Sequence, residues 1–330
     1  MADLLDARVE TTDRLGPSDL DAVSRLVEAA TEADGLHPLS EHVMLHLRFG
    51  GEGPARHLLV FTKPADGGDD ERLAAYAHLD PTDEVEGASA EIVVHPSMRR
   101  HGVGRLLVHA LEQATADGRL RLWAHGQLAA ARALAASLGY ERARELWQMR
   151  RSLYAPLPAV ELPEGYQLRT FQPGEDDESW LAVNAAAFAH HPEQGAWTLD
   201  DLRHRMAEPW FDPAGFFLLD APDGTLAGFH WTKVHGGEAS GQHQHDGHAP
   251  DDGHGHDPIG EVYVVGVSTD HQGRGLGRAL TIAGLRHLRQ RRLPQAMLYV
   301  DADNAGAIHT YTSLGFTRWD VDAMFARRRP

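Results

Sequence analysis

One turn is written twice in this chain, and it narrows the available folds more than any other feature. In the first half Val93-Val94-His95-Pro96-Ser97-Met98-Arg99-Arg100-His101-Gly102-Val103-Gly104 runs from a β-branched strand through a short loop. In the second half Val265-Gly266-Val267-Ser268-Thr269-Asp270-His271-Gln272-Gly273-Arg274-Gly275-Leu276-Gly277 does the same. Both share the pattern Arg/Gln-x-x-Gly-x-Gly, and each predicts a helix to follow, over Arg105 to Gln113 and Arg278 to Arg289. Glycines let backbone N–H groups approach an anion, and a helix N-terminus carries partial positive charge. The chain therefore offers two pyrophosphate cradles. A dinucleotide-binding fingerprint does not fit, because its third glycine would fall on Leu107 or Arg278. A ligand-free strand-to-helix turn would explain one copy, but two copies in the same context argue for a shared use.

A second pair of segments supports duplication. Leu138-Gly139-Tyr140 follows an Ala-rich helix predicted over Ala129 to Ser137, and Leu314-Gly315-Phe316 follows another over Ala305 to Ser313. The turns are 173 residues apart from Arg99 to Gln272, and the Leu-Gly-aromatic segments 176 residues apart from Gly139 to Gly315. Each half also opens on a predicted helix, Leu20 to Glu32 and Ser179 to Ala189. Strands follow, at Leu58 to Phe61 and Leu73 to Leu79, and at Phe216 to Asp220 and Leu226 to Val234. A mixed α/β domain built twice is the expectation. The expected limits are 1–155 and 166–330, joined by a linker at 156–165 where Pro156, Pro158 and Pro163 cluster.

Composition sets outer bounds. With 330 residues the chain suits two domains. The formal net charge of −17 argues against nucleic acid or an anionic membrane as partner. Without cysteine there is no disulfide, thiolate metal site or cysteine nucleophile. No apolar run approaches a membrane span, and the start lacks an apolar signal core, so a cytoplasmic enzyme is expected. One segment falls outside the repeat: 235–257 is rich in Gly, Asp and His, with His243, His245, His248, His254 and His256. It is expected to be a solvated loop that binds Zn or Ni only adventitiously, and no metal is expected to be required.

The two turns, each followed by helix, strand, helix and Leu-Gly-Phe/Tyr, resemble the GNAT acetyltransferases. Further segments carry the resemblance toward the tandem-domain mycothiol acetyltransferase (mycothiol synthase) family, more strongly in the second half. They are His190-His191-Pro192-Glu193-Gln194-Gly195-Ala196-Trp197, Trp210-Phe211-Asp212-Pro213, Gly228 to His235, Gly260 to Val267, and Leu298 to Asn304. The resemblance implies the tandem GNAT acyl-CoA N-acyltransferase fold. It also implies acetylation by acetyl-CoA of the cysteinyl amine of desacetylmycothiol, a small-molecule substrate, by a monomer. Acetyl-CoA would lie on Val265, Gly266 and Val267, on the turn Gln272, Gly273, Arg274, Gly275, Leu276, Gly277 and Arg278, and on Asn304, Ala305, Gly306, Ala307, Ile308 and His309. A second acetyl-CoA would lie on Ile92, Val93, Val94, Arg100, His101, Gly102, Val103, Gly104 and Arg105. Glu41, Glu193, Lys233, Glu261 and Tyr299 match positions that contact the sugar-inositol substrate in the family.

Direct amine acetylation needs a base, oxyanion donors and an acid for the departing thiolate. Glu261, on the strand entering the second turn, is the candidate base, and the backbone N–H of Val267 the oxyanion donor. Tyr311, two helical turns after Asn304, is the candidate acid by resemblance. Matching the repeats puts Ala88, Leu128 and Ala135 where Glu261, Asn304 and Tyr311 stand, so the first copy keeps the cradle without the reactive set. Other readings are a tandem GNAT acting on another amine (aminoglycoside, polyamine or protein N-terminus), a non-catalytic acyl-CoA sensor, and a His-rich metal-handling protein. Because polar, unpatterned segments contribute little to a core, replacing 237–255 with a short Gly-Ser linker is expected to leave acetyl transfer within a few-fold. Steady-state rates check this, and a large loss mimicked by a chelator would contradict it.

Overall fold

The computed structural model describes residues 7–50, 54–63, 71–83, 87–115, 118–189, 191–235 and 258–327. These form two compact units, one of residues 1–146 with 320–330 and one of 147–319. Most of the His-rich segment, 236–257, lies outside the described residues.

The first unit runs β1 (Ala7–Thr12), α1 (Pro17–Asp34), α2 (Glu41–Phe49), β2 (Arg56–Thr62), β3 (Arg72–Asp80), β4 (Ala88–Val94), α3 (Val103–Ala114), β5 (Leu120–Ala124), α4 (Ala129–Ser137) and the start of β6 (Glu141–Ser152). Strands β1 to β4 form an antiparallel meander, and β5 lies parallel to β4. Helix α3 buries Val103, Leu107, Val108 and Leu111, a stripe at helical spacing, on one face of the sheet. Helix α1 buries Val23, Leu26, Val27 and Ala30 with Leu59, Tyr76 and Val93 on the other.

The second unit repeats this plan with β7 (Gln167–Thr170), α5 (Asp177–Ala187), α6 (Pro192–Gly195), α7 (Leu199–Met206), β8 (Phe216–Asp220), β9 (Leu226–His235), β10 (Ile259–Val267), α8 (Leu276–Gln290), β11 (Gln295–Asp301), α9 (Ala305–Ser313) and the start of β12 (Thr317–Ala326). Strands β7 to β10 are antiparallel, and β10 and β11 parallel. Helices α4 and α9 and strand β8 coincide with their sequence expectations. Strand β9 runs one residue further than predicted, so His235 belongs to the sheet and not to the loop.

The last strands are exchanged. Read in chain order, β6 would complete the first unit and β12 the second. Instead β12 pairs antiparallel with β5, Ala323 opposite Ala124 and Phe325 opposite Leu122, and β6 lies beside β11. The side chains follow their strands. Ala323 and Phe325 enter the first unit's core, and Met149 and Leu153 the second's. The limits 1–155, 156–165 and 166–330 are expectations from the repeat in the sequence, whereas packing divides the chain by where its last strands bury their apolar faces. The Pro-rich segment read as a linker docks on the second unit. Leu157 and Val160 pack against that unit's core, and Arg286 donates to the Pro158 carbonyl at 2.7 and 3.0 Å. Among the described residues no helix is long and apolar enough to cross a membrane.

β12 also brings a charge. His125 Nδ1 lies 3.1 Å from Asp322 and its Nε2 3.2 Å from Glu91, while Glu91 accepts from the Ser40 backbone N–H at 2.6 Å and Asp322 from the Gly126 N–H at 2.7 Å. Burial opposes the imidazolium, but the two carboxylates outweigh it and push His125 up to about 10. His125 therefore binds its proton more tightly folded than unfolded. The stabilisation is fully present below the unfolded value near 6.5 and is lost as pH rises toward 10. Asp322→Ala is expected to cost about 1–3 kcal/mol at pH 6, and less as pH approaches 10. Urea unfolding at the two pH values checks this, and a cost independent of pH would contradict it.

Candidate active site

The two cradles form as the sequence implies. Gly275 caps α8 in the left-handed region (φ +78°), and Gly102 caps α3 in the same way (φ +87°). Arg100 takes the position of Gly273 with φ +69° against +75°, so the first unit holds the same turn with a non-glycine residue in a region that costs about 1–2 kcal/mol. Not every side chain of the motif faces the cradle. Arg274 donates to Tyr166 Oη at 2.9 Å, Arg105 to Ser137 Oγ at 2.8 Å, and Arg99 forms a two-pronged pair with Asp34 at 2.6 and 2.7 Å. Gln272 and Arg99 do the same job in the two units. Each donates to the last carbonyl of the preceding strand, Val267 at 3.3 Å and Val94 at 3.2 Å.

Next to each cradle two parallel strands part. β10 pairs with β11 from Ile259 to Val262, opposite Gln295 to Leu298, but pairs with β9 all the way to Val267. Ser268 N–H donates to Ala227 O at 2.9 Å. By the alternation of an antiparallel ladder, the backbone groups of Val265 and Val267 then turn away from β9. They face the side that β11 has left. Strand β4 ends its pairing with β5 at Glu91, opposite Trp123, and stays with β3 to Val94.

Glu261 sits one residue before β10 and β11 part, buried (7% exposed), opposite Lys233 on β9 and Met297 on β11. Its carboxylate is 2.6 Å from His235 Nε2, a partner the sequence reading missed by placing His235 in the loop. Buried Lys233 lies with Nζ 4.6 Å from the centroid of Trp210 and 5.3 Å from that of Tyr263. Tyr263 accepts from Arg205 Nε at 2.9 Å, and the Arg205 guanidinium stacks 3.6 Å over Trp197. Cations facing aromatic rings in a desolvated wall are a strong fixed arrangement. A β-bulge between Val262 and Val264 shifts the register, so by pairing the first-unit counterpart of Glu261 is Ser89, opposite Asp80, and not Ala88.

Asn304 caps α9, its side-chain oxygen accepting from Ala307 N–H at 3.0 Å. Tyr311 is buried on that helix against Phe316, and desolvation pushes its phenol up to about 12. Tyr299 on β11 is exposed, with Gln148 donating to its hydroxyl at 2.8 Å. Glu193 lies on α6, near His191, whose Nδ1 is 3.6 Å from buried Asp301, a pair the sequence reading did not single out. Glu41 belongs to the first unit, where it opens α2.

A glycine cradle on a helix N-terminus beside parting parallel strands, present twice, is the fold of the GNAT acetyltransferases. Residues 178–316 match the Acetyltransferase (GNAT) family model and residues 65–142 an Acetyltransferase (GNAT) domain model. The mycothiol acetyltransferase of Acidothermus cellulolyticus is 57% identical over 97% of this chain and 94% of its own. That of Streptosporangium roseum is 53% identical over 98% and 100%. Among solved structures, a GCN5-related N-acetyltransferase from Sphaerobacter thermophilus matches at 27% identity with a TM-score of 0.63, over 98% of this chain and 96% of that one. A tandem GNAT protein from the clavulanic acid biosynthesis pathway matches in fold, with a TM-score of 0.66 at 18% identity over 97% and 98%. The chain belongs to the mycothiol acetyltransferase family of tandem GNAT enzymes, and is an acetyltransferase that uses acetyl-CoA.

Gly277 separates the needs of the fold from those of the ligand. A Cβ there would meet only Val267 Cγ2, at an ordinary 3.7 Å, inside a helix that favours alanine over glycine. Gly277→Ala is therefore expected to hold or raise the melting temperature while raising KM for acetyl-CoA by about tenfold. Thermal melts and saturation curves on one preparation check this, and an unchanged KM would detach Gly277 from the cradle's work.

Proposed function

We propose that this chain acetylates the cysteinyl amine of desacetylmycothiol, giving mycothiol and CoA, as a cytoplasmic monomer whose second unit does the chemistry. The observation that carries the reading is Glu261, buried opposite Lys233 at the entrance to the parted strands. The names of the full-length relatives supply the substrate. Val265 and Val267 offer backbone groups to the pantetheine arm of acetyl-CoA. Gln272 to Arg278 hold its pyrophosphate, and Asn304 to His309 flank it.

Glu261 takes a proton from the substrate ammonium, with His235 to orient the carboxylate. The freed amine attacks the thioester carbonyl carbon, and the Val267 N–H donates to the oxyanion that develops. As the C–S bond breaks, Tyr311 gives its phenolic proton to the sulfur, and the surplus proton on the new amide nitrogen restores the phenol, so that the one proton released overall is the one Glu261 took and passes to solvent. A phenol is protonated at neutral pH at its ordinary value, and burial, which pushes this one up to about 12, holds the proton until a basic thiolate develops beside it. Lys233 and Tyr299, with Glu193 by family resemblance, bind the sugar and inositol hydroxyls. The first unit retains the cradle from Arg100 to Arg105 and the parted strand at Ile92 to Val94. In this reading it holds a second acetyl-CoA without turning it over, since Ser89, Leu128 and Ala135 stand at the reactive positions.

The decisive experiment compares acetyl-CoA turnover on desacetylmycothiol with that on cysteine, glucosamine and a small amine panel. A preference for another amine would replace the substrate, and binding without turnover of any amine would make the chain a sensor. Tyr311→Phe is expected to lower the rate constant by about one to three decades with little change in acetyl-CoA binding. Glu261→Gln should depress activity most at low pH, where the amine most needs deprotonating. A near-normal rate in the first, or an unchanged pH profile in the second, would remove that residue from the mechanism.

A further inference from the structure

The duplication allows one unit to be read against the other at the same ladder position. In the second unit Phe216 on β8 pairs with Trp231 on β9, and their rings stack at 4.4 Å in the middle of an apolar cluster. In the first unit the corresponding pair on β2 and β3 is His57 opposite His78. Both are buried (3% exposed), and α2 lays a third histidine, His46, over them. The two core positions that one copy fills with stacked aromatics carry two imidazoles in the other, with a third from α2 against them. Burying a polar atom without a partner costs about 1–3 kcal/mol, so the substitution calls for a reason.

We propose that His46, His57 and His78 form a binding site for a divalent metal ion of zinc-like preference in the first unit, separate from the acetyl-transfer chemistry. Three features argue for it. The first is geometry. One nitrogen from each ring lies within 4.8 Å of the others. The ring centroids are 4.9, 5.5 and 5.5 Å apart and mutually inclined by 50 to 66°. Nitrogens at about 2.0–2.1 Å from a tetrahedral zinc put ring centroids about 5 Å apart, so the rings already stand at chelating distance. Small side-chain rotations bring the nitrogens in.

The second feature is the state of the nitrogens. His57 Nδ1 is 2.7 Å from the buried Tyr76 hydroxyl, an outer partner that fixes the ring and leaves Nε2 for a metal. His78 Nδ1 is buried without a hydrogen-bond partner in the structure. Burial also disfavours the protonated forms of all three rings, which keeps lone pairs available. The third is access. A cavity of about 260 Å³ reaches His46 and His57, its charged lining being Asp13, Arg14 and Arg48. It leaves room for water at the fourth position that three-histidine sites keep open. Buried Glu91, directly opposite His78 on β4, belongs to the pair of carboxylates around His125, which together keep one negative charge beyond the imidazolium's positive one. Bound there, the ion would tie α2 to β2 and β3.

The test uses tag-free full-length protein in which 237–255 is replaced by a Gly-Ser linker, because His243, His245, His248 and His254 would bind the same ions. After chelation, Co²⁺ is titrated while visible d–d absorption is followed, Zn²⁺ is then added in competition, and melts are run with and without Zn²⁺. The expected result is one equivalent of Co²⁺ with the intense bands of a four-coordinate site, displacement by Zn²⁺, and a melting temperature raised by several degrees. His46→Gln, at a half-exposed helical position, should weaken binding by more than about 100-fold. His57→Phe with His78→Trp, which installs the second unit's own pair, should abolish it. Absence of stoichiometric binding in the parent, or binding that survives His46→Gln undiminished, would overturn the proposal.

Discussion

Everything proposed for the catalytic half depends on one event in the sheet, the end of pairing between β10 and β11 at Val262. Upstream of it β10 is an ordinary central strand, with its hydrogen bonds used on both sides. Downstream, Val265 and Val267 keep their place beside β9 while their outward backbone groups are released. Backbone groups without a ladder partner are costly to bury unless something takes them up: the Gln272 side chain does so for the Val267 carbonyl, and a chain of amides such as pantetheine suits the rest. The bulge at Tyr263 belongs to the same event. It turns Glu261 and Lys233 onto the aromatic-lined face while the valines beyond keep their register.

The two units show how a duplicated frame is kept while its chemistry diverges. The cradle survives in both, even with Arg100 in a backbone region that glycine would adopt more cheaply. The ladder position before it does not: Glu261 and Lys233 in one unit are Ser89 and Asp80 in the other. Backbone sites outlast side-chain sites because many sequences satisfy a turn, whereas one substitution removes a carboxylate.

Much of this was legible in the sequence, and the reasons for the rest are physical. Helices α4 and α9 were readable to the residue because Leu-Gly-aromatic marks their ends. The cradles were readable because glycine spacing fixes a turn locally. The partner of Glu261 was not, because His235 stands at the join between a strand and a polar tract, where composition says loop and the sheet says strand. The bulge escaped for a related reason. A one-residue slip leaves no trace in a count from Arg99 to Gln272, so Ala88 was matched where Ser89 belongs. The histidine trio was hidden because His46, His57 and His78 are far apart in sequence and meet only through α2 and the β2–β3 ladder. The exchanged strands were the least visible. Nothing in β6 or β12 says which of two similar partners it will choose.

That exchange bears on how the molecule is made. The first half to leave the ribosome lacks the strand that covers β5 and the carboxylate that holds His125, both of which arrive with residues 320–330. Its sheet therefore keeps an open edge until β12 has been made, and the pairing that closes it joins strands about 200 residues apart, a slow kind of contact to form. Cut at the repeat boundary, the first half would keep β6 and the second β12, the reverse of the pairing in the intact chain. What began as two similar genes' worth of sequence has become a single unit of biosynthesis.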